Sequence, residues 1–196
     1  MTTGQRLLAL LQDSGSLREG HFLLSSGKHS DRYIEKFGLL RRPTDTEEAC
    51  RGFVERFREK QIDVVAGPTT GGILLAFEVA RQLNVAAAYA ERMSDGSLRR
   101  EFRRGTTFTP GARILLVDDI LTTGGSIRES IAALETHPVD VIGIGVLVDR
   151  SAGSVSFGAY PIFPLLSLDV AVWDADDCPL CQLSIPLLKP GTTSVS

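Results

Sequence analysis

The chain has 196 residues, a formal net charge of −3, 43% hydrophobic residues and 23% charged residues. This length predicts one domain or a domain with a small appendage, and the composition is ordinary for a soluble globular protein. The charge argues against nucleic acid or an anionic membrane as a partner, and no apolar run is as long as a membrane span. The N-terminal residues lack a signal-peptide layout, so the three cysteines indicate a reducing, cytoplasmic setting.

The spacing of apolar residues predicts an N-terminal segment followed by alternating strands and helices. The N-terminal segment holds a short helix, 5–12, and extended pieces around residues 19–26 and Tyr33. Further helices are predicted at 45–60, 73–83 and 126–136, and strands at 62–66, 85–90, 114–117 and 139–148. This order predicts an α/β fold, with a mostly parallel twisted sheet flanked by helices on both faces. We expect residues 1–40 to form an N-terminal helix and hood, and residues 41–196 to form the core, with the C-terminal tail contributing to the hood.

The stretch LLVDDILTTGGS, residues 115–126, carries the strongest functional pattern. A buried strand delivers Asp118 and Asp119 at its carboxyl end, and two glycines then let the backbone approach a ligand closely. Ser126 with Glu129 three residues later predicts a capping box at the start of the next helix. Backbone N–H groups at a helix start suit a phosphate, and carboxylates suit hydroxyls, so the pattern predicts a phosphorylated sugar. The alternative is a strand–turn–helix joint that happens to be rich in glycine.

A second glycine-rich turn, residues 67–72 (GPTTGG), lies between the predicted strand 62–66 and the next helix. It can present N–H groups to an anion by the same physics, although a plain tight turn is the alternative. Because the carboxyl ends of parallel strands share one sheet edge, both turns are expected at the same ligand site.

The apolar run followed by DD-x-x-TTGGS resembles the phosphoribosyl-diphosphate (PRPP) motif of the type I phosphoribosyltransferases. The resemblance implies that fold, with the acidic pair on the ribose hydroxyls, the following loop around the 5′-phosphate, and the 67–72 turn at the diphosphate. Family members often have a lysine where this chain has Gly71. The residues implied in PRPP binding are Asp118, Asp119, Ile120, Leu121, Thr122, Thr123, Gly124, Gly125, Ser126, Thr70, Gly71 and Arg92.

The N-terminal segment narrows the resemblance to the orotate phosphoribosyltransferases. Their hood pattern F-x-L-x-SG-x-x-S-x-x-Y is matched by Phe22, Leu24, Ser26, Gly27, Ser30 and Tyr33. The ending VDR of strand 139–148 places Arg150 where that family contacts the orotate carboxylate, and a salt bridge to Asp149 or another acid is the alternative. The implied orotate-binding residues are Thr122, Arg150, Phe22, Ser26 and Tyr33.

Residues 91–105, ERMSDGSLRREFRRG, are rich in arginine. Many orotate enzymes have R-K-E-x-K-x-H-G here, a mobile loop whose basic residues reach across a dimer interface to the diphosphate. This chain begins the segment with Glu91 and Arg92 and lacks the loop lysine and histidine, which resembles a divergent bacterial branch. We interpret Arg92 as catalytic together with the acidic pair. For Arg99 and Arg100, a role at the diphosphate and an exposed solvated hairpin both stay open.

The resemblance covers nearly the whole chain and predicts an orotate phosphoribosyltransferase, a pentosyltransferase of pyrimidine (UMP) biosynthesis. It implies orotate and PRPP as substrates, orotidine 5′-monophosphate and diphosphate as products, and Mg²⁺ bound through PRPP with no certain protein ligands. It also implies a homodimer with a shared active site. A purine or xanthine phosphoribosyltransferase and a non-catalytic PRPP-sensing regulator are the alternatives.

The tail carries a CPLC sequence, with Cys178 and Cys181 spaced as in half of a zinc site or a redox pair. The sequence shows no second pair, and we expect Cys50 and the three dispersed histidines not to supply the missing donors. The prediction is therefore a compact turn with two reduced thiols. A four-cysteine site made by two tails in a dimer is the alternative.

Overall fold

A computed structural model describes residues 1–24 and 26–190. Residue 25 and residues 191–196, which belong to the predicted hood and tail, lie outside the described residues. The helices are α1 Thr3–Asp13, α2 Lys36–Leu40, α3 Pro43–Phe57, α4 Gly71–Leu83, α5 Gly125–Leu134 and α6 Pro179–Gln182, with a 3₁₀ turn at Ala175–Asp177. The strands are β1 Leu17–Leu23, β2 His29–Ile34, β3 Val64–Pro68, β4 Ala86–Arg92, β5 Arg100–Phe102, β6 Ala112–Leu121, β7 Val139–Asp149, β8 Ile162–Ser167 and β9 Val172–Trp173.

The larger sheet has six strands in the order β5-β4-β3-β6-β7-β8. All neighbouring pairs are parallel except β4 and β5, which form an antiparallel edge. The predicted α/β fold with a mostly parallel sheet is confirmed. Because β3 and β6 are neighbours in the middle of this sheet, the two glycine-rich turns that follow them meet at one edge.

The core has two layers, one on each face of this sheet. Along β6, Leu115 and Val117 pack with Phe53 of α3 and other residues on one face. The alternate residues Ile114 and Leu116 pack on the opposite face, which α5 covers. Successive strand residues point to opposite faces, so burial on both faces requires the uninterrupted apolar run that the sequence has. This rigid strand delivers the acidic pair to the sheet edge.

A second, antiparallel sheet forms the hood, with strand order β1-β2-β9. Its third strand comes from the tail, where Val172 and Trp173 pair with Ser30 and His29 of β2. Further along the tail, the backbone N–H of Leu23 donates to the carbonyl of Leu188 at 2.9 Å. The hood is thus built from both ends of the chain.

The start of α5 differs from its prediction. The N-cap is Gly124, in a left-handed conformation with φ of 77°, and no side chain caps the helix. Ser126 lies inside the first turn, and the Glu129 carboxylate accepts from two arginines instead. The predicted capping box is therefore wrong, because a glycine that adopts positive φ allows the helix to begin two residues earlier.

None of the helices within the described residues has both the length and the apolar character that crossing a membrane requires.

Candidate active site

The site begins where β3 and β6 end side by side. A cavity of about 470 Å³ opens there, between the hood and the sheet edge. Its lining combines the hood, the 67–72 turn and the acidic pair, and includes Tyr33, Lys36, Thr69, Thr70, Asp118, Asp119, Ile120, Thr122, Ser126 and Arg150. The structure thus brings together the two turns that the sequence predicted at one ligand site.

The two carboxylates of the acidic pair are both buried, at 6% and 4% exposure for Asp118 and Asp119. Asp118 Oδ1 accepts from the backbone N–H of Asp119 at 2.9 Å, and Asp119 Oδ1 accepts from that of Ile120 at 2.8 Å. Burial, and secondly the neighbouring Asp119 charge, raise the pKa of Asp118 to about 7. The ligand-free site therefore holds excess negative charge that a bound hydroxyl or cation relieves.

Lys36 at the start of α2 neutralises part of this charge. Its Nζ lies 2.8 Å from Oδ2 of Asp119 and donates to Oδ1 at 3.1 Å. A Cβ added to Gly71 would collide with the Asp119 carboxylate, so no larger side chain fits the turn without displacing Asp119. The ammonium group comes from the hood instead. The sequence pattern did not predict this role of Lys36, because a lone lysine just after the predicted strand around Tyr33 carries no motif.

The loop after the acidic pair lines a smaller cavity of about 240 Å³. Its wall includes the backbone of Thr122, Thr123, Gly124, Gly125, Ser126 and Ile127 together with Arg92, Asp118, Ile120 and Glu129. A Cβ on Gly124 would lie 2.7 Å from the ring of Phe157, whereas one on Gly125 would meet nothing nearer than 4.0 Å. Gly124 is thus required by packing, and Gly125 leaves open space at the first turn of α5, where N–H groups suit a phosphate. Leu121, which was predicted to bind PRPP with this loop, is buried at the end of β6 and lines neither this cavity nor the first one.

The arginine-rich segment places its basic residues differently. Arg100 is the buried one, with a side chain 4% exposed. It donates to Glu129 Oε2 at 2.9 Å, to Thr69 Oγ1 at 2.8 Å and to the carbonyl of Ala90 at 3.1 Å. Arg92 pairs with the same Glu129 at 3.2 Å but is half-exposed. Arg99 pairs with Asp95 and lines neither of the two cavities described so far. Arg100 therefore braces the 67–72 turn, while Arg92 stays at the wall of the phosphate cavity.

A third cavity, of about 610 Å³, adjoins the first two and lies under the hood. Its lining includes Leu23, Leu24, Ser26, Tyr33, Thr122, Thr123, Arg150, Ser151, Val172, Lys189 and Pro190. Thr122 lines all three cavities, so they form one continuous site. Among the described residues no acid pairs with Arg150, whose Nε is buried without a hydrogen-bond partner, and the Asp149 carboxylate accepts from the backbone of Ser151. Burial lowers the pKa of the Arg150 guanidinium, with the nearby Tyr33 partly opposing it.

The three aromatic and polar hood residues differ in their positions. Tyr33 and Ser26 line the third cavity. Phe22 does not line it; its ring is buried and packs against the ring of Tyr33, with centroids 5.7 Å apart. Phe22 thus supports Tyr33 from behind, and Thr122, Arg150, Tyr33 and Ser26 are the predicted base-site residues that the structure gathers.

Comparison with known proteins decides the family. The phosphoribosyl transferase domain family matches residues 44–176. An orotate phosphoribosyltransferase from Caldicellulosiruptor saccharolyticus is 42% identical over 188 residues, which cover 96% of each chain. The chain belongs to the orotate phosphoribosyltransferase family. A relative of the same name from Thermotoga maritima is 40% identical over 183 residues, covering 93% of this chain and 96% of the relative.

Solved structures agree with this assignment. The orotate phosphoribosyltransferase of Aeropyrum pernix has a TM-score of 0.71 and 28% identity, covering 83% of this chain and 93% of the other. An adenine phosphoribosyltransferase from Rhodothermus marinus has a TM-score of 0.63 at 18% identity, over 84% of this chain and 99% of the other. The second likeness shows the fold alone. The type I phosphoribosyltransferase fold predicted from the sequence is confirmed.

Proposed function

We propose that this protein transfers the 5-phosphoribosyl group of PRPP to orotate, giving orotidine 5′-monophosphate and diphosphate. The observation that carries the proposal is Arg150. Its half-buried guanidinium has no acidic partner among the described residues and lines a cavity continuous with the phosphate loop. A cation held this way is complementary to a carboxylate, and the planar guanidinium fork can bind one through two hydrogen bonds. Orotate is a pyrimidine that carries such a carboxylate.

The acidic pair and the phosphate loop hold the donor. Asp118 and Asp119 accept hydrogen bonds from the ribose hydroxyls, and the backbone of residues 122–126 holds the 5′-phosphate at the positive end of α5. In the reaction, N1 of orotate gives up its proton and forms the new bond to C1′. The bond between C1′ and the diphosphate oxygen breaks, its electron pair leaves with the diphosphate, and the negatively charged diphosphate can take up the proton from N1. The carboxylates also oppose the positive charge that develops on the sugar.

The diphosphate end lies at the 67–72 turn. Thr70 is exposed there, and the backbone of Gly71 starts α4. Arg100 holds Thr69 in place through its hydrogen bond, and Arg92 at the cavity wall supplies a cation for the negative charge of the leaving diphosphate. Arg92 is thus assigned to the reacting groups and Arg100 to their support. Catalysis in this scheme is mainly positioning and electrostatic stabilisation.

Mg²⁺ fits this site as a partner of PRPP. The donor set that faces the cavity is hard oxygen, from carboxylates and threonine hydroxyls, which suits Mg²⁺. When bound with PRPP, the ion neutralises charge on the diphosphate and ribose oxygens. The buried acidic pair, which carries more negative charge than Lys36 neutralises, favours a cation nearby.

We also propose a homodimer in a cytoplasmic, reducing setting. On α4, which follows the diphosphate turn, the large apolar side chains of Phe77 and Leu74 are 65% and 40% exposed. Exposed apolar groups this close together favour a protein interface. All three cysteines are free, which supports the reducing setting.

The purine alternative is disfavoured by the same arginine. A purine base carries no carboxylate, and a site built for it would leave the Arg150 guanidinium buried without a partner, at a cost of about 1–3 kcal/mol or more. A non-catalytic regulator would bind PRPP without turnover, so an activity assay distinguishes it from an enzyme.

The direct experiment mixes the purified protein with PRPP, Mg²⁺ and orotate and follows the loss of orotate ultraviolet absorbance together with diphosphate release. We expect both, with Asp119→Asn losing most turnover while its circular dichroism spectrum stays unchanged. Consumption of adenine or xanthine in place of orotate would support the purine alternative. PRPP binding with no turnover of any base would support the regulator.

A further inference from the structure

A cluster of four side chains outside the substrate cavities has the composition of a metal site. His21 of β1, His29 of β2, and Cys178 and Cys181 at the two ends of the CPLC sequence converge where the tail meets the hood. One nitrogen or sulfur atom from each lies within 4.8 Å of all the others. The prediction that no histidine completes the cysteine pair is therefore wrong. The sequence hid this, because the histidines precede the cysteines by some 150 residues and only the hood fold joins them.

Three of the six separations between the donor atoms match the edges of a tetrahedron around one ion. Cys178 Sγ lies 3.5 Å and Cys181 Sγ 3.7 Å from Nε2 of His21, and Cys181 Sγ lies 3.3 Å from Nδ1 of His29. With zinc–sulfur bonds of about 2.3 Å and zinc–nitrogen bonds of about 2.0 Å, the edges of a tetrahedral site are about 3.3–3.8 Å. The two nitrogens are 2.9 Å apart, so they need to separate by only about 0.4 Å to match that geometry.

The hydrogen bonding around His21 leaves the ring nitrogen that faces the cluster free to bind a metal. Its Nδ1 lies 2.8 Å from the carbonyl oxygen of Ile185, which can only accept, so Nδ1 carries the proton. Nε2 of the neutral ring then carries a free lone pair, and this atom faces Nδ1 of His29 and both sulfurs. A carbonyl on the far nitrogen of a metal-binding histidine is the usual arrangement that fixes its tautomer and orientation.

We propose that these four residues bind one structural Zn²⁺. Two thiolates and two imidazoles in a tetrahedral arrangement select zinc over Mg²⁺, which prefers oxygen, and the two thiolate charges balance the ion. His21, His29 and Cys178 are buried and Cys181 is the exposed member, which leaves an entry path on one side. All four coordination positions are filled by protein, so the site is closed and structural.

The position of the site indicates what the ion holds in place. The residue after His21 in β1 forms a parallel bridge to Leu188, and the backbone N–H of Leu188 donates to the carbonyl of His21 at 2.7 Å. The next residues of the tail, Lys189 and Pro190, line the third cavity. Zinc at this joint would fasten the tail across the hood and so fix one wall of the base site. This last consequence rests on the proposed function, whereas zinc binding does not.

The test is metal content. Tag-free protein purified under reducing conditions and loaded with Zn²⁺ is dialysed and measured by mass spectrometry of the metal. We expect one zinc per chain, a fall of at least about tenfold in Cys181→Ser and in His29→Gln, and no change in Cys50→Ala, whose thiol is buried in α3. Reconstitution with Co²⁺ should give the intense visible absorption of tetrahedral thiolate coordination in the wild type and in Cys50→Ala, and not in Cys181→Ser or His29→Gln.

A second measurement does not depend on how the variants fold. Titrating the thiols of the wild-type protein with a mercurial reagent should release zinc, detected by a colorimetric chelator, in step with modification of two thiols. Zinc that stays stoichiometric in a Cys178→Ser/Cys181→Ser double variant would overturn the proposal. So would a wild-type protein that takes up no zinc while its mass shows all three thiols reduced.

Discussion

At the residue scale, the acidic pair makes the ligand-free protein sensitive to pH. Burial and the charge of Asp119 raise the pKa of Asp118 to about 7, while an aspartate in the unfolded chain titrates near 4. The folded state therefore keeps a proton that the unfolded state has lost, and stability falls as pH rises from about 4 to about 7 and then levels off. We expect Asp118→Asn, which removes the buried charge, to raise the melting temperature at pH 8 by on the order of a few °C and by less at pH 5.

The measurement is a pair of thermal melts at the two pH values without PRPP or Mg²⁺. Asp140→Asn, which changes an exposed carboxylate on β7, serves as the control and should behave alike at both. A gain for Asp118→Asn that is the same at both pH values, or larger at pH 5, would contradict the burial argument.

Replacing Arg150 should weaken orotate binding and at the same time stabilise the protein without orotate. Its guanidinium is half-buried and unpaired at Nε, so Arg150→Gln removes a charge that binds orotate but costs stability in its absence. We expect KM for orotate to rise about 10- to 100-fold, with KM for PRPP nearly unchanged, and the melting temperature of the ligand-free protein to rise. Arg58→Gln, an exposed arginine just after α3, is the control. Equal increases in KM for orotate and for PRPP would mean that Arg150 shapes the whole site and does not bind the orotate carboxylate specifically.

At the element scale, the loop that starts α5 separates a packing glycine from a binding glycine. Gly124 has positive φ and its missing Cβ is replaced by the ring of Phe157, whereas Gly125 faces open space. Gly124→Ala should therefore lower the free energy of unfolding by about 1–3 kcal/mol, and Gly125→Ala should leave it within about 1 kcal/mol. Urea unfolding measures both. Both changes should weaken PRPP binding by calorimetry; an equal loss of stability in the two variants would contradict the distinction.

The elements that the sequence predicted are those whose pattern is local. The buried strands β3, β6 and β7, and the helices between them, follow from apolar runs and glycine joints of a few residues. The acidic pair and Arg150 were found because each lies close to the carboxyl end of such a strand. The pairing of β2 with the tail strand β9 joins residues more than 140 positions apart, and no local pattern encodes it.

The same lack of a local pattern explains why the roles of Lys36 and of the two histidines were not predicted. Lys36 reaches Asp119 only because the hood folds over the sheet edge, and the two histidines meet the CPLC cysteines only because the tail completes the hood sheet. The capping box at Ser126 failed for a different reason. Its spacing was correct, but the left-handed Gly124 starts the helix earlier and leaves Glu129 to the arginines.

At the scale of the whole molecule, two exposed surfaces allow the proposed homodimer to be tested. The turn between β4 and β5 carries Leu98, 68% exposed, and Arg99, which forms an ion pair with Asp95 of the same turn. On α4, Phe77 is also exposed. If a dimer forms through them, Phe77→Glu should shift the protein to a monomer by light scattering and lower turnover, since a charge in an apolar interface is costly.

Complementation tests the shared site itself. If Arg99 acts in the partner's site, Arg99→Gln should reduce turnover because that site loses a cation. Asp119→Asn should reduce turnover because the ribose of PRPP loses a carboxylate partner. In a mixture that has exchanged subunits, some dimers contain one site with both defects and one site with neither, so activity should reappear. A mixture of Asp118→Asn with Asp119→Asn is the control: both defects lie in the same chain's pair, every site keeps one, and no activity should return. Failure of the first mixture to recover, with mixed dimers demonstrated, would place all the required cations within one chain and leave Arg92 as the arginine that acts on the diphosphate.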